Sequence, residues 1–340
     1  MNTTPAAAAL SLALVLVGCG KPAEDKPVAQ TADGKVRVLF QVDAKWLQDD
    51  GRREMESALA RFPHIDVVYA HNDPMARGAQ LAAEQAGRKD ITFVGIDALP
   101  QEGVRYVQDG KLDATFEYPT GGRSAIDLGV LLAVGQQVPR EIILGTRSFT
   151  KDDVRSGGTA IPGPGGVDLG AIATRAEQAL AARGGRLRIG MSQCNLAEPW
   201  RTQMNADIRA RVAALGEKVE LLERDAQNDV DTQREQMLEL VQQKVDVLLV
   251  SPKEEVALVP AAKAALAAGI RVVVLDRRLG SDDFSSFIGG DNVAIGRAAG
   301  ECVKRKLGEK GGTIVELTGL WTSSPAKDRH RGFAEALGLR

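Results

Sequence analysis

Residues 245–277 run VDVLLVSPKEEVALVPAAKAALAAGIRVVVLDR, and their pattern decides the fold class. Val245–Val250 and Arg271–Leu275 are short β-branched runs. Val272-Val273-Val274-Leu275 shows no polar alternation, as expected of a parallel strand covered on both faces. Between them Val256–Ala268 has the spacing of a helix. Strand, helix and strand in that order imply a right-handed parallel unit. The same rhythm extends both ways. Strands are expected at Leu187–Met191, Val219–Leu222 and Thr313–Leu317, with helices near residues 200–215, 230–243, 293–306 and 326–337. An earlier set, Val36–Val42, Ile65–Ala70, Ile91–Ile96 and Ala114–Tyr118, alternates with helices near residues 51–61, 74–86, 101–108 and 124–133. Such alternation predicts doubly wound parallel-sheet lobes of the α/β class. At 340 residues the chain fits two domains rather than one.

The rhythm breaks between residues 150 and 185, where Gly157-Gly158, Pro162-Gly163-Pro164-Gly165-Gly166 and Gly184-Gly185 mark a linker. Asp168–Ala182 within it is expected as one surface helix. The Gly-rich run follows no strand, so a phosphate cradle is not indicated. Residues 6–17 form an apolar run broken only by Ser11, too short to span a bilayer, which takes about 20 residues. The run ends in Leu16-Val17-Gly18-Cys19, and this ending resembles a bacterial lipobox. Residues 1–19 are therefore expected as a lipoprotein signal peptide with lipidation at Cys19, and residues 20–35 as a tether. That places the chain outside the cytoplasm, in the periplasm or its equivalent, held to a membrane by lipid.

Charge narrows the function classes. There are 43 Lys and Arg against 45 Asp and Glu, with no basic stripe, so nucleic acid is not an expected partner. Three histidines without ligand spacing give no metal site, and no cofactor fingerprint occurs. Cys194 and Cys302 are expected as buried free thiols, one bridge being the alternative. No Gly-x-Ser-x-Gly elbow or His-Glu-x-x-His helix supports an enzyme.

In open parallel sheets ligands bind at the carboxyl ends of strands. All three tryptophans, Trp46, Trp200 and Trp321, fall in loops just past a strand. An indole offers a flat apolar face to the C–H side of a sugar ring. Asn72-Asp73, Asp97 and Asp276-Arg277 stand at other strand ends, where forked polar groups meet neighbouring hydroxyls.

Several motifs in order resemble bacterial periplasmic sugar-binding proteins of the ribose- and galactofuranose-binding type, the substrate-binding family of ABC transporters. They are DVVYAHNDPMARGA at 66–79, FVGID at 93–97, GKLDAT at 110–115, EPWR at 198–201, VLDR at 274–277, GDN at 290–292 and DRHRGF at 328–333. The resemblance implies the type I periplasmic binding protein fold, two lobes joined by a hinge. The order is rotated: the segment resembling the family's first half follows the segment resembling its second, so the chain looks circularly permuted. One lobe is expected to be 36–118 plus 312–340, the other 119–149 plus 186–310, with Val36–Phe40 and Thr313–Leu317 in one sheet. By resemblance Trp46 and Trp200 sandwich the ring. Asn72, Asp97, Asp276 and Arg277 bond hydroxyls, and Glu198, Arg201 and Lys327 occupy contact positions that vary with ligand. Tyr118 stands where ribose binders carry Gln. The implied function is capture of a monosaccharide or polyol by hinge closure, without turnover, for an ABC transporter permease. The alternative is a sugar sensor serving a chemoreceptor or histidine kinase. A sugar acid or phosphorylated sugar stays open.

Overall fold

The computed structural model describes residues 26–163 and 166–340. The expected signal peptide, Cys19 and the start of the tether lie outside the described residues, as do Pro164 and Gly165.

Elements of a first sheet open the chain: β1 (Ala29–Gln30), β2 (Val36–Asp43), α1 (Gln48–Arg61), β3 (Val67–Ala70), α2 (Asp73–Gln85), β4 (Thr92–Val94), α3 (Gly103–Gln108) and β5 (Ala114–Phe116). The chain then crosses to α4 (Gly122–Ala133) and β6 (Glu141–Leu144) of a second sheet, and returns as β7 (Thr146–Thr150) and β8 (Thr159–Ile161). It next builds most of the second sheet and its helices: α5 (Leu169–Ala182), β9 (Leu187–Gln193), α6 (Pro199–Leu215), β10 (Val219–Asp225), α7 (Val230–Gln242), β11 (Val247–Ser251), α8 (Val259–Ala267), β12 (Arg271–Leu275) and β13 (Ser286–Gly290). It finishes against the first sheet with α9 (Asn292–Leu307), β14 (Gly312–Thr318) and α10 (Ser324–Leu337).

The strand orders are β1-β2-β14-β3-β4-β5-β7-β8 and β10-β9-β11-β12-β13-β6. Every pair in the second sheet is parallel. In the first sheet β1, β7 and β8 alone run antiparallel to their neighbours. Helices cover both faces, so β11 and β13 are buried along their length, as are Val272–Leu275 of β12. The uninterrupted apolar runs follow from that double cover. β14 pairs parallel with β2 from Gly312↔Val36 to Thr318↔Asp43, so those two segments share one sheet. No helix among the described residues is long and apolar enough to cross a membrane.

Three segments differ from the expected lobe boundaries. Residues 146–149 lie in the first sheet, because β7 pairs with β5 rather than extending the second lobe. Helix α9 lies with the first lobe, although 186–310 was expected in the second. Its Gly296 backs onto the Arg329 carbonyl and its Gly300 onto Phe333, an approach only glycine permits. The region 150–185 is largely built structure: β8 extends the first sheet and α5 packs against α4 of the second lobe.

Candidate functional site

The carboxyl ends of strands from both sheets meet in one cleft of about 270 Å³. Trp46 follows β2, Asn72 follows β3, Asp97 follows β4 and Tyr118 follows β5. From the second sheet come Glu198, Trp200 and Arg201 after β9, and Asp276 and Arg277 after β12. These nine expected residues line the cleft together, with Pro325 and Arg329 from α10.

Backbone strain marks the turns that aim them. Trp46 (φ 70°), Asp97 (φ 119°) and Asp276 (φ 64°) sit in the left-handed region. That region costs a non-glycine residue about 1–3 kcal/mol and persists only where the surroundings impose it. For Asp97 the imposing group is Asp73. This fully buried carboxyl accepts hydrogen bonds from Thr115 Oγ1 and the Ala98 N–H, both at 2.7 Å. Burial pushes Asp73 up to about 8 despite those bonds. A Cβ at Gly95 or Gly103 would collide with the same carboxyl, so both positions need glycine. Asn72 caps α2 by accepting from Met75 N–H at 3.0 Å, and its amide donates to the Trp46 carbonyl at 3.0 Å. It therefore holds the Trp46 turn.

Arg201 is saturated by protein. It donates to Glu198 (3.2 Å), Gln193 (3.1 Å), Ser251 (2.8 Å) and Asp276 (2.9 Å). Tyr118 joins the lobes: its hydroxyl donates to Asp276 Oδ1 at 2.9 Å, and its carbonyl accepts from Trp200 Nε1 at 2.6 Å. The Tyr118 and Trp200 rings stack at 5.0 Å, so one face of Trp200 is already covered.

Other groups lack partners. Trp46 Nε1 and Arg277 Nε are buried donors with no hydrogen-bond acceptor. The Asp97 carboxylate, 7% exposed, accepts no hydrogen bond from the described residues, and Arg329 approaches it at 3.7 Å. Burial pushes Asp97 well above the usual carboxylate range, and Arg329 offsets this only in part. Three arginines (201, 277, 329) face three carboxylates (97, 198, 276), so the lining carries no net formal charge.

Lys327 is absent from the cleft lining. It pairs with Glu255 at 3.2 Å with about half its side chain exposed. Arg329, two residues on along α10, points inward instead. It is 2% exposed, donates to Asn292 Oδ1 (2.8 Å) and to the His71 carbonyl, and lies 4.5 Å from the Tyr118 ring centre. The sequence placed Arg329 in a motif but did not select it as a contact. Cys194 and Cys302 are free and buried.

Two doubly wound sheets presenting their strand ends to one shared cleft, with repeated chain crossings between them, define a bilobal binding protein of the periplasmic type I class. The chain belongs to the family described as periplasmic binding protein domain, which it matches over residues 24–137 and 189–339. It is 34% identical over 145 residues to the ribose import binding protein RbsB of Bacillus subtilis, covering 43% of this chain and 47% of that one. It is 30% identical over 168 residues to the galactofuranose-binding protein YtfQ of Escherichia coli, covering 48% and 51%. A xylitol-binding protein of Mycolicibacterium smegmatis is 31% identical over 137 residues, covering 38% and 37%. The chain thus spans about half the length, or less, of these curated relatives.

Proposed function

We propose that this chain captures a monosaccharide or polyol outside the cytoplasm by closing its lobes, and hands it unchanged to an ABC importer. One observation carries the reading: Trp46 Nε1 and Arg277 Nε, both in the cleft lining, are buried donors without acceptors. Each costs about 1–3 kcal/mol while unmet. A polyhydroxylated ligand supplies acceptor oxygens to both, and its hydroxyl protons serve the Asp97 carboxylate. The balanced lining charge supports a neutral ligand over a sugar acid or sugar phosphate. Relatives named for ribose, galactofuranose and xylitol point to the same ligand class. Contacts drawn from both lobes bind the closed state more tightly than the open one, which is what drives closure. A lipid anchor at Cys19 belongs to this reading on the sequence of residues 6–19. Circular permutation belongs to it too, supported by the β2–β14 pairing and by matches that span half of each relative.

A thermal-shift panel of pentoses, hexoses, polyols and sugar acids tests it. A neutral sugar or polyol at 1,000 times its Kd should add about 4 kcal/mol of stability. Flat melting curves across the panel, or shifts with sugar acids alone, would reject the reading.

A further inference from the structure

The cleft is small for the work assigned to it. Its volume of about 270 Å³ lies just under the span of about 300–1,000 Å³ usual for small-molecule sites. A second cavity of about 940 Å³ lies beside it on the hinge. Asp97 and Tyr118 line both and are the residues the two have in common. From the geometry we infer that the binding site continues past the sugar ring into this hinge cavity. The ligand class then includes glycosides and disaccharides whose second unit rests there. The inference rests on reading the cleft as a sugar site.

The chemistry of the second cavity suits a sugar or glycoside substituent. Gln101, the Glu117 carboxylate and the Arg123 guanidinium line it, and none has a hydrogen-bond or ion-pair partner among the described residues. An amide, a carboxylate and a guanidinium are the forked groups that engage paired hydroxyls. Burial already pushes Glu117 above the usual carboxylate range, so a donor arriving there replaces lost hydration. Pro119 offers an apolar edge between them. The partition is asymmetric. Tyr118 is fixed by its bond to Asp276 and its stack on Trp200, whereas the Asp97 carboxylate is bound by no hydrogen-bond donor. A linkage passing beside Asp97 meets an acceptor free to bind a hydroxyl from either unit.

Calorimetric titration of the whole chain tests this with pairs of probes. D-ribose, L-arabinose, D-galactose and D-fructose are each compared with an extended form, such as 4-nitrophenyl α-L-arabinofuranoside, 4-nitrophenyl β-D-galactopyranoside or sucrose. At least one extended probe should bind within about tenfold of its parent monosaccharide. The double variant Gln101→Ala/Arg123→Ala, both exposed positions, should then weaken the extended probe at least about tenfold and the monosaccharide by less than about twofold. Binding of a monosaccharide with rejection of every extended probe overturns the inference while the sugar-binding reading stands. Equal loss for both probes in the variant overturns it as well. If neither class binds, the sugar-binding reading falls, and the inference with it.

Discussion

Arg277 is 1% exposed, its Nη1 donates to the Lys253 carbonyl at 3.1 Å, and its nearest carboxylate, Asp276, is 3.9 Å away and already held by Arg201. A buried charge so thinly paired is poor for stability, and replacement by an apolar side chain of similar size is often neutral or stabilising. Arg277→Met should therefore leave the unliganded unfolding free energy unchanged or higher. Sugar affinity should fall at least about tenfold, since the ligand loses a charged donor worth about 1.5–3 kcal/mol. Denaturant melts with and without ligand separate the two effects; a variant both less stable and fully able to bind would contradict this placement of strain in the site. A second prediction concerns Glu316 beneath Trp46. Burial alone raises its carboxyl, but hydrogen bonds with His330 (2.9 Å) and His71 (3.0 Å) bring it down to about 2. His330 is raised by that same contact, while His71 is lowered, chiefly by burial. A depressed carboxyl stabilises the fold above its unfolded value of 4.5 and loses this as pH falls towards 2. A raised histidine stabilises below 6.5 and loses this as pH climbs through its folded value. The pair thus contributes most between the two unfolded values. His330→Gln should remove part of the stability decline between about pH 6 and pH 8, and parallel profiles for variant and parent would refute the coupling.

At the scale of elements, the cleft depends on how closely helices pair. Helices α9 and α10 meet through glycines: a Cβ on Gly332 would lie 2.0 Å from the Val293 carbonyl, and one on Gly296 would lie 2.1 Å from that of Arg329. Backbone atoms cannot step aside as a side chain can, so Gly332→Ala must push α10 away from α9. Overpacking of this kind costs about 1–3 kcal/mol. Because Arg329 rides on α10, the same push moves it relative to Trp46 and Tyr118, and ligand affinity should fall together with the melting temperature. Loss of stability with unchanged affinity would show that α10 does not position the cleft. The same helix shows where sequence reading stops. Strand-end residues such as Asp97 and Asp276 were legible because an apolar run announces its own end. In Lys327-Asp328-Arg329-His330-Arg331 every residue is polar, and positions two apart differ by about 200° around a helix of 3.6 residues per turn. Choosing Arg329 over Lys327 needs the helix phase, which charge alone does not carry. The placement of α9 was hidden for a related reason, since the Gly296 and Gly300 stripe says that something packs closely there but not which helix.

At the scale of the molecule, the described chain ends meet. Gln30 and Arg340 exchange backbone hydrogen bonds of 3.3 and 2.9 Å, and Thr31 bridges Leu339. β14 enters the first sheet from the end of the chain and pairs with β2 near its beginning, closing one sheet from segments nearly 280 residues apart. Under the proposed permutation, the junction between residue 340 and residue 26 is the family's ordinary internal connection, and the stretch between β8 and α5 is the added one. A reordered chain should therefore fold: residues 166–340, a short Gly-Ser bridge, then residues 26–163. Joining ends already in contact adds little closure entropy, because that cost grows only as about (3/2)RT ln n with loop length n. Opening the chain between β8 and α5 removes no sheet pairing, since β8 keeps β7 and α5 keeps α4. The reordered protein should unfold within about 1–2 kcal/mol of the parent and show the same ligand-induced shift in melting temperature. A reordered chain that folds but no longer binds would mean that the linker holds the lobes at their working angle. One that fails to fold would mean that the present chain order is required by the fold, and the permutation reading would be withdrawn.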